Sequence, residues 1–273
     1  MIRNTKTIQA LLLFIPVLSV VWSLILNHIS GPHFLSRSDP EYVYLLNGLN
    51  VSSGNLDRIG HVDHPGTPFQ LITGNFIAVI YWISGSGSMV SDVIINPEKY
   101  LFISSFLLAL LAAYVIYRIS KLEYKRSGSL TGALIIPFSL LLYMVIIDLP
   151  SRYIPDQLLM IILLFYAELI IRYLYDGYKA SKFAIYSGVL MAAGVMTKIN
   201  FAPFFILPLF LLPGWKLKRT YGIAFGSLVV VLFLLIHHKF NEFVNFALKV
   251  STHDGLYGGG QDQFLNPEAF WNN

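Results

Sequence analysis

The residues best equipped for chemistry lie in short polar stretches between long apolar ones. The first stretch is Ser38-Asp39-Pro40-Glu41. A carboxylate that stays ionised can take a proton from a hydroxyl. Asp39 stands where the start of a helix would favour its charged form. The second stretch is His61-Val62-Asp63-His64-Pro65-Gly66. Two imidazoles and a carboxylate in one turn can hold a divalent metal or a phosphate, or move protons. A solvated polar turn accounts for them equally well. The third runs from Asp148 to Asp156. Its Arg152 carries a planar fork suited to phosphate, and Asp156 either caps the next helix or belongs to a site. Lys198, in Thr197-Lys198-Ile199-Asn200, interrupts an apolar run. An ammonium there must snorkel, pair or serve a site. Finally, His253-Asp254-Gly255 precedes Gly258-Gly259-Gly260, either as a ligand-contact loop or as a loose tail.

The elements that position these residues are set by composition. Of 273 residues, 55% are hydrophobic and 12% charged, whereas a soluble domain carries about 25% charge. A soluble enzyme, a disordered chain and a nucleic-acid binder are excluded on that ground. The net charge of +4 fits the Lys/Arg bias of cytoplasmic loops in membrane proteins. No cysteine is present, which removes disulfides, thiolate nucleophiles and cysteine metal sites. The expected fold is all-α. It is a polytopic membrane protein of about seven transmembrane helices, with interfacial helices in a long first external loop, forming one module over 1–273.

Crossing a bilayer takes about 20 mostly apolar residues. Candidates fall at 7–28, 98–118, 130–147, 156–175, 183–197, 199–213 and 220–238, with 68–84 ambiguous. Charge decides the ambiguous stretch. Four basic clusters, Arg3/Lys6, Arg118/Lys121/Lys125/Arg126, Arg172/Lys179/Lys182 and Lys216/Lys218/Arg219, all fall on one side only if 68–84 does not cross. That side is the cytoplasm. The N-terminus is then inside, 29–97 forms an external loop, and 239–273 an external tail. The expected location is a cell inner membrane or plasma membrane. Most acids, including Glu98, and most histidines, including His33, sort to the outer side, whereas Glu123, Glu168 and Asp176 do not.

In the first loop, Ser38 or Asp39 suits an N-cap, Pro40 the first helical position and Glu41 the first turn. Tyr42, Leu45, Leu46 and Leu49 recur at helical spacing. They predict a short amphipathic helix on the membrane surface.

Taken in order, these features resemble the integral-membrane glycosyltransferases of the GT-C class. The nearest branch contains protein O-mannosyltransferases, aminoarabinose transferases and bacterial lipopolysaccharide sugar transferases. The matching features over 1–213 are the Asp-led motif after the first span, the His-Pro turn, Pro155-Asp156-Gln157-Leu158-Leu159, and Thr197-Lys198. The His253-to-Gly258 tail is similar to a later external loop of some members. The resemblance implies a polyprenyl-phosphate-linked sugar as donor, used on the external face, with a lipid, glycan or protein acceptor. It makes Asp39 the catalytic base, with Glu41, Asp63 and His64 as further catalytic candidates. Arg152, Lys198, His61, Asp156 and His253 would contact substrate. No cofactor is implied with certainty, and a divalent metal fits His61, Asp63 and His64. The chain departs from the pattern in having Asp39-Pro40-Glu41 where the family commonly has Asp-Glu or Asp-Asp, and His64-Pro65-Gly66 for His-Pro-Pro. Members also carry more than seven spans, which leads to the expectation of a truncated product, a fragment or half of a split enzyme.

Two other classes compete. A transporter or flippase also places charge at mid-membrane, although no internal repeat of the kind transporters show is visible. A non-catalytic lipid-binding or assembly subunit would keep its lipid without Asp39.

Overall fold

A computed structural model describes residues 5–33, 41–60, 66–147 and 152–252. Among the described residues every regular element is helical. They comprise α1 (Thr5–Ser30), α2 (Glu41–Ser52), α3 (Thr67–Ser84), α4 (Met89–Ile95), α5 (Pro97–Ser127), α6 (Leu130–Ile147), α7 (Pro155–Tyr175) and α8 (Ala180–Thr197). A 3₁₀ segment (Ile199–Ile206) then leads into α9 (Leu207–Leu211), α10 (Trp215–Leu234) and α11 (Phe240–Thr252). Helices α1, α5, α7, α8 and α10 are each long and apolar enough to cross a membrane, and a sixth is counted if α3 and α4, bent by 95°, form one span. The chain is thus an all-α, polytopic membrane protein. Its apolar surface points outward as a bilayer demands. In α10 only 11% of the most apolar window is buried inside the protein.

The two remaining expected spans take different forms. Helix α6 covers 130–147 and packs against α5 and α1. The 199–213 stretch is a 3₁₀ segment followed by a short α-helix. Pro203, Pro208 and Pro213 each lack the N–H that a regular α-helix would use. The stretch still runs the length of α7. At one end Lys198 bonds Asp156, and at the other the Tyr173 hydroxyl donates to the Leu211 carbonyl at 3.4 Å. Eight 3₁₀ residues and five α residues reach about 24 Å at rises of about 2 and 1.5 Å. The Asp156–Tyr173 stretch of α7 covers about 26 Å by the same rise.

Helix α5 is the spine. Pro97 opens it, and Gly128, at φ 66°, closes it with its N–H on the Tyr124 carbonyl. At 31 residues it is about 46 Å long, so its ends pass beyond a hydrocarbon core of about 30 Å. The shared core draws on α2, α3, α5, α7 and α8, with Tyr100, Tyr153, Phe69 and Phe183 fully enclosed.

Helix α2 differs from the surface helix expected of it. Its buried face is Tyr44, Leu45, Asn47, Gly48 and Leu49, while Leu46 is exposed. That face packs on α3 and not on lipid. A Cβ at Gly48 would sit 2.3 Å from Thr73 Cγ2, and one at Gly74 2.8 Å from Val51 Cγ1. The two glycines let the helix backbones approach closely.

Helix α3 touches one end of the bundle both from its second turn and from its last residue. Thr73 shares a 2.7 Å hydrogen bond with Tyr153, just ahead of α7. The Ser84 carbonyl accepts from Lys99 Nζ, near the start of α5, at 3.1 Å. Past the predicted last span, the expected tail begins instead with a helix, α11, whose Phe240 and Phe243 pack edge-on to Phe233.

Candidate functional site

The starts of α2, α5 and α7 and the end of α8 come together at one end of the molecule. Glu41 opens α2 with its side chain wholly buried. His33, three residues after α1, turns its Nδ1 onto Glu41 Oε2. The His33 backbone N–H donates to Glu98 Oε2 at 3.0 Å, and the Tyr42 hydroxyl donates to Glu98 Oε1 at 2.5 Å. Burial, and then the carboxylate of Glu98, push the Tyr42 phenol above its usual range, so it remains a donor. Arg152 closes the set with Nε 3.5 Å from Glu41 Oε1.

This geometry assigns distinct work to each group. With Nδ1–H directed at Glu41, the His33 ring presents Nε2 as its acceptor, and Asn27 Nδ2 lies 3.5 Å from it. Asn27, His33 and Glu98 line a cavity of about 450 Å³, together with His28, Gly31, Pro32 and Phe102. An imidazole oriented by a buried carboxylate and facing a cavity is an arrangement that can accept a proton. Glu41 itself is fixed between imidazole and guanidinium and is shut off from the cavity.

Arg152, the fork read from the sequence as suited to phosphate, pairs with Glu41, yet its Nε and Nη2 are both buried without a hydrogen-bond partner among the described residues. Lys198 also has an acid. Its Nζ donates to Asp156 Oδ2 at 2.8 Å, with the two side chains 19% and 37% exposed. Asp156 therefore holds Lys198, and the N-cap of α7 is Ile154 without a side-chain cap bond. Arg152 precedes Asp156 by four residues, so their Cα atoms are within about 14 Å. Both predicted phosphate cations thus stand at the same end of the bundle.

Asp39, His61, Asp63, His64 and His253 lie outside the described residues. Residues flanking the first two groups are described. His33 and Glu41, on either side of 34–40, touch one another. Gly60, just before 61–65, donates its N–H to Asn47 Oδ1 of α2 at 3.2 Å. Among the described residues no set of three or more His, Asp or Glu is placed to hold a metal ion.

Sequence reasoning did not single out His33, Tyr42 or Glu98 as site residues. Glu98 contacts residues 56 and 65 positions away, and no local motif encodes such a meeting. The one usable signal was the sorting of His33 and Glu98 to the same predicted side. No protein-family model, curated protein or solved structure matches this chain.

Proposed function

We propose that this chain is a glycosyltransferase that moves a sugar from a polyprenyl-phosphate donor to an acceptor hydroxyl at the outer membrane face. The observation that carries the reading is Arg152. Its guanidinium is paired with buried Glu41 and keeps a buried Nη2 without a hydrogen-bond partner, at the bundle end that also carries Lys198. A donor phosphate supplies the acceptor that this nitrogen lacks.

In the reaction, the acceptor oxygen attacks the anomeric carbon as the bond from that carbon to the phosphate oxygen breaks. The acceptor proton passes to Asp39, the base at the position the resemblance assigns. The polyprenyl phosphate leaves with the bonding pair. Arg152 and Lys198 stabilise its growing charge, and the single displacement inverts the anomeric carbon. Glu41 positions Arg152 and His33. Asp63 and His64 orient the acceptor, while His61, Asp156 and His253 complete the substrate contacts.

The charge pattern supports the orientation. The basic clusters face the cytoplasm, and α3 meets the outer end at Thr73 and at Ser84. Purified protein in liposomes carrying a polyprenyl-phosphate sugar tests the function. Replacing Arg152 with Gln should raise the donor KM at least tenfold. Transfer that is indifferent to Arg152 would overturn the phosphate role.

A further inference from the structure

At the opposite end of α5 and α7 lies a second charged site that the glycosyl-transfer reading does not use. Arg118 is twenty residues beyond Glu98 along α5, about 30 Å by helical rise. Two arginines share one oxygen there. Arg118 Nε and Nη2 donate to Glu168 Oε1 at 3.1 and 2.8 Å, and Arg172 Nε donates to the same atom at 2.7 Å. The Glu168 side chain is 3% exposed, while both arginine side chains remain about one-third exposed. One carboxylate thus locks two cations and offsets the charge of only one.

Two adjoining cavities, of about 350 and 540 Å³, share Arg118 and Arg172. Lys121 and Lys125 line the second, and both are exposed. Across the two, four cations face two carboxylates, Glu168 and Asp176. The first cavity continues between α7 and α8 over Phe165, Leu169 and Leu190. A cationic rim joined to an apolar wall at the end of membrane-spanning helices is complementary to an amphiphile with an anionic head.

We infer that this groove binds the phosphate headgroup of an anionic phospholipid in the cytoplasmic leaflet. Arg118 and Arg172, preset by Glu168, take the phosphate, Lys121 and Lys125 add long-range attraction, and the acyl chain lies along the apolar wall. Basic pockets between transmembrane helices hold such headgroups by the same physics. The inference rests on the membrane-spanning helices and their orientation, and it stands or falls separately from sugar transfer.

The test uses the purified full chain, stripped of lipid in detergent and titrated with phosphatidylglycerol, phosphatidylcholine or inorganic phosphate. Bound lipid is counted by native mass spectrometry. Phosphatidylglycerol is expected to bind the more tightly. The exposed double substitution Lys121→Gln/Lys125→Gln should weaken it by about fivefold for each lysine removed. The double substitution Lys216→Gln/Lys218→Gln, outside both cavities, should leave it unchanged. Equal binding of the two lipids would overturn the proposal, as would equal weakening by the two lysine pairs. Displacement of phosphatidylglycerol by inorganic phosphate at matching concentration would reassign the groove to a free anion and overturn the lipid.

Discussion

The Lys198 ammonium donates to the Asp156 carboxylate at 2.8 Å, tying the end of α8 to the first turn of α7. This one contact explains why a lysine interrupts an apolar run. It also marks where α8 ends, since Lys198 leaves the helix in an extended conformation. Because both partners are partly exposed, the pair itself contributes no more than about 1 kcal/mol. Lys198→Met should therefore shift the thermal midpoint little while sharply raising the donor KM. A large loss of stability with an unchanged KM would make the lysine purely structural.

Glu41 presents the opposite case. Removing it as Glu41→Ala leaves His33 and Arg152 facing each other with no carboxylate between them. Breaking a buried pair from one side costs about 3–5 kcal/mol. Thermal unfolding in detergent should show a loss of that order. Glu41→Gln, which keeps the shape, should lose less. An unaltered midpoint for Glu41→Ala would mean that the buried cluster does not hold the bundle end together.

The α2–α3 contact makes a steric prediction. Gly48→Val places its Cβ into the volume of Thr73 and should destabilise by about 1–3 kcal/mol. Gly222→Ala, in α10 with open space around the added carbon, should be neutral or stabilising, because alanine suits a helix better than glycine. Equal effects of the two substitutions would contradict the close approach of α2 and α3.

Asp92 gives the pH dependence. The Tyr100 hydroxyl, then Lys99 and Asn96, hold its carboxyl below the usual carboxylate range, against the opposing effect of burial. A folded-state pKa below the unfolded one adds stability that is complete above the unfolded value, about 4, and disappears as pH falls through the folded value. Asp92→Asn should therefore narrow the stability difference between pH 7 and pH 3. An acid limb identical in both proteins would show that Asp92 contributes nothing there.

Much of the scaffold was legible in the sequence because membrane spans are encoded locally. Apolar length defines α1, α5, α7, α8 and α10, and Pro97 and Pro155 mark two of their starts. The stretched geometry of 199–211 was not legible. Hydropathy counts residues, whereas the prolines change the rise per residue. Helix α11 was missed because His237, His238, Lys239 and Glu242 make its start look like a tail. The residues of the site were legible only in part. Arg152, Lys198, Asp156 and Glu41 do converge on one end. That Glu41 would be buried between Arg152 and His33 is a tertiary fact, without any periodicity to announce it.

The claim that this bundle end transfers sugar is tested most directly at Asp39. The measurement is transfer of labelled sugar from polyprenyl-phosphate donors by the protein in liposomes, comparing the unaltered chain with Asp39→Asn at matched folding and matched donor binding. Loss of a general base lowers turnover by at least about 100-fold. The expected result is transfer by the unaltered chain and a fall of that size in Asp39→Asn, with donor affinity retained. Undiminished transfer by Asp39→Asn would contradict the assignment of the base, and absence of transfer by the unaltered chain from every polyprenyl-phosphate sugar supplied would contradict the proposed function itself.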